Sequence, residues 1–280
     1  MKRIFISICF LCFISFLNAQ PEDKKVSKIT FLMVDGDYDK AIRKAEKLTD
    51  DSDYRRNGWV YFYLSQSYYE AAKTPELQED YPKAMKEALK AAYKLYKYRD
   101  KTDENEAVYQ EAKEYLTELK DSVIRISEIF YDNDNPRKAA YFLGKIVKFD
   151  PDDYAVWLMK GVYEIKSRNI GEGAKSIIFA MDSLDQNYVP DEVSAQTLVD
   201  ALDEYALIVK SGEYDKYFKA YRFEPNDSDV REALAMKEEF KEKYLKEKEV
   251  KKEDRKKESE TIYKTFKSED IEEDEDEDDE

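Results

Sequence analysis

The sequence predicts an all-α fold: a solenoid of stacked antiparallel helix pairs, followed by a charged C-terminal helix and a disordered acidic tail. Three observations predict it. Val123, Ser127, Ala139, Leu143, Ile146 and Pro151 recur 34 residues later as Trp157, Gly161, Gly173, Ile177, Ala180 and Asp185. Ala139, Leu143 and Ile146 lie at i, i+4, i+7, the stripe of a helix with one buried face. Thr102 to Tyr131 holds neither glycine nor proline, the residues that interrupt helices. A helix pair with one apolar face stays wet unless a neighbouring pair covers it, which is why such units come in arrays.

In the best-formed copy the first helix sets Trp157 over Gly161, and the glycine leaves a notch where the next helix can approach. A 34-residue period carrying Trp157 and Gly161 in one copy, and Ala139, Leu143 and Pro151 in the other, resembles the tetratricopeptide repeat. That family's pattern is W-x2-L-G-x2-Y, then A-x3-F, then P. Lys160 and Glu164 depart from it, standing where leucine and tyrosine are usual, and they leave the packing of that unit open. The alternative is another all-helical solenoid or bundle, because alanine and tyrosine stripes at helical spacing are ordinary core.

The elements follow in order. Met1, Lys2 and Arg3 precede the apolar run Ile4 to Leu17, which reads as a signal peptide over residues 1–19 with Asn18-Ala19-Gln20 as the cleavage region. The run is shorter than the ~20 residues that span a bilayer of ~30 Å, although an uncleaved anchor is a second reading. Ile8 before Cys9 and Leu11 before Cys12 are not the small residues that lipoprotein processing needs. The array is expected over residues 20–226. Val26 to Val34 forms a short helix, Asp35-Gly36-Asp37 a turn, and Tyr38, Ala41, Ala45 and Leu48 a second helix. Asp35, Asp37, Asp39 and Glu46 have the spacing of a calcium loop, but that loop needs glycine at its sixth place and Lys40 stands there.

Tyr61, Leu64, Ser65 and Tyr68, then Tyr81, Ala84, Ala88 and Ala91, make the next pair, with a long loop from Thr74 to Asp80. The step from Tyr61 to Val123 exceeds one period by 28 residues, room for an inserted loop and an extra or lengthened helix. The regular units then run from Asp121 to Pro151 and from Asp152 to Asp185, with Asn135-Pro136 as an N-cap and first helical residue. Pro190 and Asp191 open a helix with Leu198, Leu202 and Tyr205, the first of a degenerate fifth pair. Residues 227–247 suit a capping helix with a polar outer face. Residues 248–280 are too poor in apolar side chains to fold alone.

Composition removes several classes of function. The chain has no histidine, and Cys9 and Cys12 both lie in the leader. The mature protein, about 260 residues, therefore has no disulfide, thiol nucleophile or histidine-based catalysis, and no metal or cofactor is expected. The formal charge of −16, or −18 without Lys2 and Arg3, disfavours nucleic acid. Eleven of the last twelve residues, Glu269 to Glu280, are acidic. There is no glycine-rich phosphate loop and no G-x-S-x-G. Paired carboxylates such as Asp152 and Asp153 mark a helix start, and no enzyme is expected.

What remains is binding. The resemblance implies that first helices line a concave groove, and residues offset from their packing set are Trp59, Phe62, Gln66, Tyr69, Ile124, Glu128, Tyr131, Leu158, Val162 and Ile165. Such a groove would suit an extended peptide or an amphipathic helix; the competing reading is that several of these residues fill joints between repeats. Ile262, Tyr263 and Phe266 form an apolar island in the charged C-terminal region, a candidate docking motif or else the fraying end of a helix. The expected function is an exported scaffold or adaptor with a protein or peptide partner. The alternatives are a chaperone-like binder of exported chains, and an enzyme without a recognisable motif. The leader and the richness in Lys, Tyr and Asp look like those of proteins from Bacteroidetes bacteria. That likeness implies a periplasmic address, with secretion or attachment to the envelope as the other options.

Overall fold

The computed structural model describes residues 23–184, 188–245 and 259–264; the expected leader, the acidic end and Phe266 lie outside them. All regular structure among the described residues is helical: twelve α-helices, two short 3₁₀ turns and a single helical turn at 259–264. The chain divides into two compact units, Met1–Tyr115 and Leu116–Glu280.

The first unit begins with α1 (Lys24–Val34), whose N-terminal amides are capped by the Asp23 carboxylate. The chain reverses at Gly36, where φ is +74°, a conformation that glycine adopts without strain. Helix α2 (Tyr38–Thr49) buries Ala41, Ile42, Ala45 and Leu48, the stripe read from the sequence. It begins inside the calcium-loop spacing and runs unbroken through Asp39 and Glu46, and three of the four carboxylates have partners. Asp37 accepts from Lys40 at 2.7 Å, Asp39 from Arg43 at 3.0 Å and Tyr81 at 2.5 Å, and Glu46 from Tyr68.

Helix α3 (Gly58–Lys73) packs antiparallel against α4 (Ala84–Tyr98): Tyr61 meets Tyr98, Ser65 Oγ donates to the Ala88 carbonyl at 2.8 Å, and Tyr68 meets Tyr81. The excess over one repeat is accounted for by α5 (Asp103–Glu111) and by the 20-residue α6 (Lys113–Asp132), in which the boundary between the units falls. Buried Asn105 on α5 ties this region to α3 and α4. It accepts from the Gly58 amide at 2.8 Å and donates to the Arg56 and Tyr98 carbonyls, both at 2.8 Å.

In the second unit α6 is followed by α7 (Pro136–Phe149), which starts at the expected Asn135 cap with proline in its first turn. Helices α8 (Tyr154–Lys166) and α9 (Ile170–Ser183) make the closest crossing. A Cβ added at Gly161 would stand 2.9 Å from the Gly173 carbonyl, and one at Gly173 would stand 2.8 Å from the Gly161 carbonyl. Ile177 and Ile165 fill the remaining space over the two glycines, so the pairing is antiparallel and reciprocal. One period earlier the same crossing carries a hydroxyl, with Ser127 Oγ donating to the Ala139 carbonyl at 2.9 Å. Ser65 and Ala88 repeat that bond in the first unit.

The departures at Lys160 and Glu164 form a closed polar cluster. Lys160 donates to Glu164 at 2.6 Å and to Ser176 at 3.0 Å, and Ser176 donates to Glu164 at 2.7 Å. Two unusual residues thereby satisfy each other. Trp157 is half-buried rather than fully enclosed; its indole N–H donates to the Pro151 carbonyl at 2.9 Å and its ring meets the exposed Phe179 edge-on.

Helix α10 (Ser194–Ser211) packs on α8 and ends at Gly212, where φ is +64°. The next helix, α11 (Asp215–Ala220), is short and rests on α9. Helix α12 (Asp227–Tyr244) covers α10. A reciprocal cap between Asn226 and Asp229 starts it, and it buries Val230, Ala233 and Phe240. No helix among the described residues is long and apolar enough to cross a membrane.

Candidate functional site

The ten residues expected to line a groove divide by burial. Trp59, Phe62, Tyr69, Ile124, Leu158, Val162 and Ile165 are all buried. They are core, and they could meet a ligand only after repacking. First helices are enclosed on most sides here: thirteen of the sixteen residues of α3 are buried, so a one-residue offset from the packing stripe lands on another joint. Gln66, Glu128 and Tyr131 keep open surface.

Two of those three lie together in the second unit. Tyr131 on α6 stacks on Tyr163 of α8, with ring centres 4.4 Å apart. Lys166, one turn further along α8, lies over the Tyr131 ring and pairs with Glu204 of α10 at 2.8 Å. Helices α6, α8 and α10 thus contribute to one continuous face. Glu128, Asp132 and Asp200 are exposed on it. Arg125, one turn before Glu128, is committed to Asp121 through two hydrogen bonds of 2.9 and 3.3 Å.

Glu128 has open surface, yet desolvation pushes its carboxyl up to about 7; the Arg125 charge opposes the shift, and the Asp200, Asp132 and Asp121 charges add to it. Both hold for a carboxylate set in a recess, open on one side and surrounded by protein on the others. Burial, with the nearby Glu128 carboxylate, also holds the Tyr163 phenol above its usual range. Tyr163, Lys166, Asp200 and Glu204 were not legible as site residues. Tyr163 falls two positions short of the 34-residue offset from Tyr131, so strict repeat bookkeeping selects the buried Ile165 instead.

A second cluster, also unforeseen, gathers at the loops of the same unit. Lys120 on α6 is 3% exposed, and its ammonium lies 2.7 Å from Asp150, 2.7 Å from Asp153 and 2.5 Å from Asp191. The three carboxylates bring oxygens within 4.8 Å of one another, the spacing of a cation site, and the cation among them is the Lys120 ammonium. Ser194 donates to Asp153, and Tyr188 donates to it at 3.3 Å. Asp153 also caps α8 by accepting from the Val156 amide, and Asp191 caps α10 by accepting from the Ser194 amide.

Burial alone would lower the Lys120 pKa; the three aspartates more than offset it and hold it above its usual value. For Asp191 burial works upward, while Lys120 and Ser194 pull harder and leave it below the carboxylate range. Asp150 stays above that range, because burial outweighs the Lys120 charge there. Every group is partnered, so the cluster acts as a staple between α6 and the starts of α8 and α10.

The apolar island at the C-terminus is partly placed. Ile262 has no exposed surface, and the Tyr263 ring meets Phe130 of α6 edge-on with centres 4.8 Å apart. Phe130 in turn stacks on Phe142 of α7 at 5.4 Å. No protein-family model matches the chain, and neither does any curated protein or solved structure.

Proposed function

We propose that the chain is an exported interaction scaffold or adaptor, built as a tetratricopeptide-like solenoid. On this reading its α6, α8 and α10 face takes a protein segment of basic character. The observation that supports it is the joining of three successive first helices into one face by the Tyr131–Tyr163 stack and the Lys166–Glu204 pair. Tyr131, half-buried and backed by the buried Tyr163 ring, offers flat apolar area at low entropic cost, the property that makes this side chain frequent in binding surfaces. Lys166 and Glu204 neutralise each other, which leaves Glu128 and Asp132 to set the sign of the face. A lysine or arginine beside Tyr131 and Glu128 would meet both a cation–π partner and a carboxylate.

The test uses a photoreactive residue at Tyr131 in the full chain, with a second at exposed Phe31 on α1 as a control position. Crosslinks to a defined protein at position 131 and not at 31, lost on Glu128→Lys, support the reading. Equal labelling at both positions overturns it. Labelling of many unrelated unfolded chains would instead favour the chaperone-like alternative. Export to the periplasm belongs to the same proposal and rests on the leader sequence; fractionation of tagged protein checks it.

A further inference from the structure

We infer that residues 259–264 are the resident and exchangeable occupant of a docking site beside Phe130, so that the chain carries its own ligand in cis. The turn presents one face to the body. Ser259 and Ile262, at i and i+3, are 1% and 0% exposed, Tyr263 is half-buried against Phe130, and Glu260 and Lys264 point to solvent. One helical turn cannot enclose its own isoleucine, so the covering atoms belong to the folded body. Phe130 supplies a fixed edge for Tyr263, because its ring is clamped by Phe142 and lies under the Lys138 ammonium at 5.4 Å.

Exchangeability follows from size and connection. A six-residue helix does not persist alone in water, so the turn is helical because it is docked. The burial of one isoleucine and part of one tyrosine does not exceed the conformational entropy lost by six residues, so the docked turn is marginal. Such a contact holds because it is tethered. Residues 246–258, between α12 and the turn in sequence, contain twelve charged side chains and one apolar residue, Val250. A tether of this length keeps the turn at a high local concentration near its site, and an equivalent segment from outside must compete with it.

The experiment uses the full chain and a fluorescent peptide of residues 255–268, read by anisotropy. In the Ile262→Asp chain the turn should leave its site, and the peptide should bind with 1:1 stoichiometry. The wild-type chain should bind it about tenfold more weakly or worse. Tyr263→Ala should fall between the two, and a peptide carrying Ile262→Asp should not bind. Hydrogen exchange on the unmodified chain provides an independent reading. Amides of 259–264 should exchange much faster than those of α8, since the turn undocks without unfolding the body. Equal peptide binding by wild-type and Ile262→Asp chains, binding by neither, or protection of the turn equal to that of α8 each overturns the inference.

Discussion

Replacing Lys120 with methionine keeps the apolar stem and removes the ammonium, leaving Asp150, Asp153 and Asp191 to face one another around an uncompensated centre. Breaking a buried ion pair from one side typically costs about 3–5 kcal/mol, and three carboxylates on one lysine place this site at the upper end. Urea unfolding measures it; a loss below about 1 kcal/mol would show that the cluster is not a staple. Glu128 behaves differently because its recess desolvates the carboxylate and nearby acids add to the effect. Its folded-state pKa of about 7 lies above the unfolded carboxylate value of about 4.3. Its contribution is therefore most favourable below the unfolded value and is lost as pH rises through about 7. Glu128→Gln should leave stability nearly unchanged at pH 4, and should raise the melting temperature relative to wild type at pH 8. If the two proteins differ equally at both pH values, the recess is wetter than the geometry implies.

At the scale of helices, the α8–α9 crossing makes the sharpest demand on side-chain size. Gly161→Ala would drive a methyl group to 2.7 Å from Ile177 and 2.9 Å from the Gly173 carbonyl. Side chains can turn away, but a backbone carbonyl cannot without moving α9. Overpacking of this kind costs about 1–3 kcal/mol, and the upper half is expected here. Ser127→Ala, one period earlier, adds no volume and removes one buried hydrogen bond, so a cost of about 1 kcal/mol is expected. Equal costs in a denaturant series would contradict the difference drawn between the two crossings.

These crossings were legible because they are local: a small residue four positions after a larger one, and another small residue twelve positions on, both lie within two helices joined by a short turn. The extra helix α5 was legible as surplus length. Lys120 was not, because nothing near it in sequence separates it from the 46 other basic residues. Its meaning depends on loops 30 to 71 residues away meeting at one point. Seven of the ten groove positions are buried for a related reason. The offset rule assumes a first helix with a free side, whereas Trp59, Leu158 and Val162 are buried.

The whole molecule is strongly anionic, with a formal charge of −16, and the exposed acids of the α6, α8 and α10 face add to that repulsion. Salt should therefore stabilise it. Raising sodium chloride from 20 to 200 mM shortens the screening length from about 20 Å to about 7 Å, and the melting temperature should rise by a few degrees. A fall would mean that surface ion pairs such as Lys25–Asp51 and Lys175–Glu172 outweigh the net charge. The absence of disulfides in the expected mature chain places this burden on packing and charge alone.

The Lys120 staple also has a direction in time. A chain is synthesised from its N-terminus, and segments begin to associate as they emerge. Lys120 precedes Asp150, Asp153 and Asp191, so each carboxylate that reaches the site finds its counter-charge already present. The opposite order would gather mutually repelling acids with nothing to hold them. A circular permutant that moves residues 116–132 to the end of the chain should reach the same folded state but more slowly. During cell-free synthesis its nascent chains should become protease-resistant later than those of the natural order, and identical time courses would show that arrival order carries no weight.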